Sequence, residues 1–201
     1  FAPILTETVI SFTKAHPAVK LNIFYRTMEE LMSMLEKREL DFVLSFKPSS
    51  VHPAIESHVL FDNNLSVIVN RYHPLAEKEK ITLQDILPHG IAMPAKGLQS
   101  RNEFDKLYPS AYNQMKVRME LNEVNVLLDI VRGSSLITIL SEAVIHQTNG
   151  LVAIPFDVPD NIMVGCVHTE RGTYRKKAAE EFIRMLQESE AVRERSIQWL
   201  E

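Results

Sequence analysis

Apolar residues recur along this chain with two periods, and the alternation between those periods is its first legible feature. From Ala2 to Ala15, Ile4, Leu5, Val9 and Phe12 fall at helical spacing, with Pro3 tolerated in a first turn. After His16-Pro17 the period drops to two at Val19, Leu21 and Ile23, which predicts a strand over 19–25 with one buried face. Thr27 then caps a helix that places Met28, Leu31, Met32 and Leu35 on one side, and Glu30 completes a capping box. That helix ends near Lys37-Arg38, ahead of Phe42-Val43-Leu44, whose continuous apolarity reads as a buried parallel strand.

The remainder repeats the same grammar. Ser66 to Val69 reads as strand, His73-Pro74 as a turn, Ile81 to Ile86 as a short helix and Ile91 to Met93 as strand. A helix from Ser100 to Leu107 precedes a βαβ unit: strand Val117 to Leu121, Asn122 as cap, helix Glu123 to Arg132, strand Leu136 to Leu140. Leu151 to Ile154 and Ile162 to Val167 add strands. Tyr174 to Leu200 is a charged amphipathic helix broken near Ser189, with Trp199 and Leu200 as packing residues at its end. The fold class is α/β.

Composition narrows the function. The 201 residues are 45% hydrophobic and 24% charged, with no apolar run long enough for a membrane span and a net charge of −4. No Lys/Arg stripe is dense enough to neutralise phosphates, so this piece is not expected to bind DNA by itself. The chain opens on Phe1 without the features of a signal peptide, and the expectation is a fragment of a longer cytoplasmic protein. Cys166 is the single cysteine, which excludes an internal disulfide; its apolar surroundings read as those of a buried thiol. The histidines show no metal-binding spacing, and GxSxG, P-loop and GxGxxG motifs are absent, so no metal, cofactor or catalytic residue is assigned.

Four stretches carry a resemblance. Glu36-Lys37-Arg38-Glu39-Leu40-Asp41-Phe42-Val43-Leu44 looks like a helix end, a tight turn and the next strand. His58-Val59-Leu60-Phe61-Asp62 with Leu65-Ser66-Val67-Ile68-Val69 leads into His73-Pro74-Leu75-Ala76. Leu121-Asn122-Glu123-Val124 with Leu127 to Gly133, and Leu151-Val152-Ala153-Ile154-Pro155, complete the set. In this order and spacing they resemble the effector-binding regulatory domain of LysR-type transcriptional regulators, over nearly the whole chain. Ser135 and Ser141 depart from the family's usual glycine before its buried strand and proline after it.

The resemblance implies two Rossmann-like lobes joined by two crossover strands, a type II periplasmic-binding-protein-like fold. Lobe I would cover 1–69 and 169–201, and lobe II 70–168, with crossings near Val69 to Tyr72 and Val167 to Thr169. It further implies a co-inducer held between the lobes, a homodimer or, in the full-length protein, alternatively a tetramer, and DNA contact only through an N-terminal winged helix-turn-helix domain outside this chain. The family's first strand would lie upstream of Phe1. A transport receptor that binds solutes shares this fold and is the alternative reading.

Ligands of parallel α/β units sit at the carboxyl ends of strands, where helix N-termini present unpaired N–H groups. That rule selects Thr27 and Met28, Ser45, Phe46 and Lys47, then Ala95, Lys96, Gly97, Gln99, Ser100 and Arg101, and finally Asn122, Glu123, Thr138 and Ser141. A glycine, a hydroxyl and two cations between Lys96 and Arg101 suit a carboxylate or another small anion, although Ser100 fits equally as a plain cap with solvated cations beside it. Glu123 suits a cationic effector instead. The apolar faces Ile4, Leu5, Val9, Phe12 and Val124, Leu127, Leu128, Val131 fit either dimerisation or packing on their own sheets.

Overall fold

The computed structural model describes residues 2–48, 50, 52–145, 150–190 and 192. The chain divides into two compact units, Phe1–Asp62 with Val164–Glu201, and Asn63–Met163. The chain thus enters the second unit before Leu65 and leaves it before Val164, several residues earlier at each crossing than the family pattern predicts. The reason is pairing: the strand that begins at Leu65 finds all its partners inside the second unit.

In the first unit, α1 (Ala2–Ala15) buries Ile4, Thr8 and Phe12, four residues apart, and leaves Ile10 51% exposed. Phe12 meets Phe182 of α6 (Lys177–Gln187) edge to face at 5.1 Å. α6 starts three residues later than the pattern predicts from Tyr174, and ends ahead of Ser189; Trp199 and Leu200 lie outside the described residues. α2 (Met28–Glu36) begins at Thr27 and lays Leu35, with Leu31 and Met32, over Val43 and Ile55.

Val43 belongs to β1 (Val43–Phe46), in a sheet ordered β1, β8 (Met163–Glu170), β2 (Ile55–Asn63). β1 runs antiparallel to β8, from Val43 opposite His168 to Phe46 opposite Gly165, and is not the parallel strand read from its apolar run. Its partner arrives more than a hundred residues later. Gly165 has a packing role here, because a Cβ at this position would stand 2.5 Å from the Phe61 ring.

The segment 19–25 forms no strand. Its alternation supplies a face, but no described strand pairs with it to form a ladder, and Ile23, Phe24 and Tyr25 are 48, 44 and 75% exposed.

The second unit is built on β3 (Leu65–Asn70), β4 (Gly90–Pro94), β5 (Lys116–Leu121), β6 (Thr138–Ser141) and β7 (Leu151–Pro155). β3 pairs antiparallel with both β6 and β7, and β4 pairs parallel with β5. A parallel bridge between Ile91 and Ile137 joins the two groups in the order β5, β4, β6, β3, β7. α5 (Val124–Arg132) seats Leu127, Leu128 and Val131 on Ile68, Ala92, Leu140 and Leu151. α4 (Gln99–Leu107) contributes Phe104, fully buried and 5.9 Å from the Phe156 ring. The short α3 (Leu83–Ile86) carries a Thr82/Asp85 capping box. The buried members of the α1 and α5 stripes therefore serve the cores of their own units.

Candidate functional site

Three strand ends of the second unit converge. The Ala95 N–H donates to the Leu121 carbonyl at 2.7 Å, tying the exit of β4 to that of β5. The Ser141 N–H donates to Ser100 Oγ at 3.2 Å, tying the exit of β6 to the first turn of α4. Ala95, Lys96, Gly97, Gln99, Ser100, Arg101, Asn122, Glu123 and Ser141 thus gather at one end of the sheet. Gly97 has φ +100°, a backbone that L side chains rarely adopt, so the loop turns there because the residue is glycine. Thr138 sits apart, at the opposite end of β6 across from Ile68, fully buried.

The roles inside this cluster differ from the predicted ones. Ser100 is not the cap of α4: the N-cap is Leu98, with no side-chain bond to the first turn. Ser100 is occupied by Ser141 instead. Asn122 is not the cap of α5 either, because Glu123 takes that place, accepting from the Val126 N–H at 2.7 Å.

Arg101 is 3% exposed, and its guanidinium faces the protein rather than solvent. Nε reaches Asp105 at 3.0 Å, and Nη1 donates to the Pro94 carbonyl at 3.1 Å and to Glu120 at 2.9 Å. The Tyr112 ring lies 4.7 Å beneath it, and the Tyr112 hydroxyl donates to the same Glu120 oxygen at 2.8 Å. Burial works against the Arg101 charge, but Glu120 and Asp105 outweigh it and raise the pKa. Bonds from Tyr112 and Arg101 hold the Glu120 carboxyl below the usual carboxylate range. Arg101 is a clamp between the end of β4, α4 and β5. Lys96 is the exposed cation left in the loop above it.

In the first unit, Thr27 caps α2 with Glu30: the Glu30 N–H donates to Thr27 Oγ1 at 3.3 Å and the Thr27 N–H to Glu30 Oε2 at 2.9 Å. These bonds lower the Glu30 pKa and keep a carboxylate at that helix start. Met28 is half-buried beside them. Ser45 is buried, its hydroxyl donating to the Phe46 carbonyl at 3.1 Å; Phe46 stands edge to face with Phe61, and Lys47 is exposed.

Sequence reasoning passed over two buried polar groups. His168 Nδ1 lies 2.7 Å from Ser57 Oγ, and burial depresses its pKa to about 4, opposed in part by the Ser45 backbone. Asn161 is 5% exposed: its Oδ1 accepts from the Leu65 N–H and its Nδ2 donates to the carbonyls of Leu65 and Phe156. Only the strand alternation of β8 marks His168 in the sequence, and nothing local marks Asn161. Among the described residues, no group of three or more His, Cys, Asp and Glu could hold a metal ion, and no helix is long and apolar enough to cross a membrane.

A two-unit α/β fold with ligand-type loops at its parallel strand ends defines a class of binding domain. Within that class, residues 2–191 match the LysR substrate binding domain, and the chain belongs to that family. The malolactic fermentation system transcriptional activator of Lactococcus lactis is 24% identical over 138 residues, 68% of this chain and 47% of the relative. The transcriptional activator CmpR of Synechocystis is 25% identical over 145 residues, 71% of this chain and 47% of the relative. The chain therefore spans about half the length of these curated relatives. Its fold is that of the Synechocystis CcmR regulatory domain in complex with 2-PG (TM-score 0.78, 20% identity, 93% of this chain and 91% of the other). It is equally that of the QuiR effector-binding domain in complex with shikimate (TM-score 0.71, 20% identity, 96% and 90%).

Proposed function

We propose that this domain senses a small anionic co-inducer at the loops that follow β4 and β5, and that it carries out no catalytic step. One observation carries the reading: α4 starts without a side-chain cap, under a glycine-turned loop that presents Lys96, while the starts of α2 and α5 are each closed by a carboxylate of their own. Of the residues predicted in the loop after β4, Lys96, Gly97 and Gln99 are the proposed contacts, with Asn122 at the neighbouring strand end. Arg101 and Ser100 hold that wall. Shikimate, held by one structural neighbour, is a carboxylate, which fits an anion. In the full-length protein the domain would act as a homodimer and transmit effector binding to an N-terminal DNA-binding domain, through unequal affinity of the effector for two states of the protein.

The test is a thermal-shift screen with 2-PG, shikimate, inorganic phosphate and neutral amino acids. A ligand at about a hundred times its Kd adds roughly 2.7 kcal/mol of stability. An anion is expected to raise the Tm of the parent and to lose most of that effect in Lys96→Ala. An anion that stabilises parent and variant alike would place binding elsewhere. Ser45→Ala and Lys47→Ala, run in parallel, test the first-unit candidates.

A further inference from the structure

The end of the second unit's sheet opposite the candidate site is closed by loops that meet at one imidazole. His73 is 7% exposed and caps the 3-10 turn Pro74–Glu77; its Nδ1 accepts the Leu75 N–H at 3.0 Å. A ring nitrogen that accepts carries no proton, so the ring proton is on Nε2. The backbone of Ser135, from the segment entering β6, favours the protonated form of the ring. The ring of His89, from the segment entering β4, lies 4.8 Å away at 60°. One side chain therefore joins the exit of β3 to the entrance of β4.

We propose that His73, with the His89 ring tilted against it, is an acid-released latch: a proton entering Nδ1 turns the acceptor of the Leu75 N–H into a donor and frees the turn that follows β3. Protonation costs three things at once. It puts charge in a buried place, removes the cap of the 3-10 turn, and sets a cation beside a second histidine. Burial, then His89, hold the His73 pKa below the ordinary histidine value, and the Ser135 backbone opposes them. Other charged groups along these loops are Arg71, which stacks over Tyr72, the exposed Glu77, Lys78, which closes the 3-10 turn and pairs with Asp85, Lys116, whose Nζ donates to the Pro88 carbonyl beside His89, and Arg118, beside Gly90.

The experiment is an NMR titration of the whole chain from pH 8 to 4.5, following the imidazole nitrogens of His73 and the Leu75 amide. The expected result is an acceptor-type Nδ1 at pH 7, a His73 midpoint below 6.5, and a Leu75 amide that moves with the same midpoint. His89→Phe keeps a ring against His73 and removes the neighbouring charge, so it should raise that midpoint. His73→Asn keeps a side-chain cap that does not titrate, and should leave the Leu75 amide still across the same range. The latch is overturned if Leu75 keeps its position while His73 takes up its proton, if Nδ1 is protonated at pH 7, or if His89→Phe leaves the midpoint unmoved.

Discussion

α2 and α4 are both nine-residue helices, yet their first turns are finished in different ways. At α2 the chain closes the turn itself, with Thr27 and Glu30 exchanging bonds, so the helix start is satisfied and negatively charged. At α4 the hydroxyl that might have capped is two residues inside the helix and holds β6, the cation that might have met an anion is buried against two carboxylates, and the N-cap is a leucine. A helix start that spends its polar groups on its own turn is fastened down. One that spends them on neighbouring strands is held firmly and still left open, which is what a preorganised ligand wall requires.

If the two units differ in this way, they should fail differently. The largest effect expected is acid loss of the first unit through His168. Above pH 6.5 its ring is neutral whether the chain is folded or unfolded and contributes nothing. Below it the unfolded chain takes a proton that the buried ring, with its pKa of about 4, refuses. Stability should therefore fall as pH drops from 6.5 and level off near 4, by about 3 kcal/mol. His168→Leu should flatten that part of the pH profile of Tm; a slope identical to the parent's would assign the acid loss to other groups.

Next in size is the clamp under the open helix. Arg101→Ala leaves Asp105 and Glu120 facing one another without their cation. Because both acids are partly exposed, the cost expected is about 2–3 kcal/mol, below that of breaking a fully buried pair. Arg101→Lys should recover only part, since one ammonium cannot reach the Pro94 carbonyl and both carboxylates as a planar fork does. Full recovery by lysine in chemical denaturation would show that charge alone matters there.

What was legible in the sequence divides along the same line. α1, the Thr27/Glu30 box, β3, β4 and the body of α4 were readable because periodicity and capping are local. The segment 19–25 has the right alternation and no strand, since a ladder depends on a partner that alternation does not report. The apolar run of β1 reads as parallel, while its direction is decided by β8, far along the chain. Ser100 and Asn122 were sensible caps by position, and each is off because a tertiary bond, from Ser141 in one case, or a neighbouring carboxylate, Glu123 in the other, decides the turn. Arg101 reads in the sequence as a cation for an anionic ligand, and local reading does not reveal its bond to Glu120, nineteen residues away in sequence.

A smaller effect comes from opening the closed helix. Thr27→Ala removes the Oγ1 acceptor and should cost about 1 kcal/mol. It should leave the response to anionic probes unchanged, as the carboxylate of Glu30 still stands at that helix start. A probe response that grows in this variant would mean α2 is a second anion site held shut by its own cap.

The smallest change in stability should accompany the sharpest change in binding. Leu98 already has the extended backbone of an N-cap, φ −73° and ψ 138°, so Leu98→Asp can place a carboxylate on the first turn of α4 without moving the chain. The gain of a cap, about 1 kcal/mol, is offset by the lost contacts of a half-buried leucine, and Tm should shift by only a few degrees. The α4 start would then resemble that of α2, with its N–H groups satisfied and a negative charge in front of them. A probe that raises the Tm of the parent should no longer do so in Leu98→Asp, while Leu98→Asn, a neutral cap of the same shape, should keep part of the response. Binding that survives Leu98→Asp at parental strength would remove the open helix start from the site and leave Lys96 and the β5 exit to account for recognition.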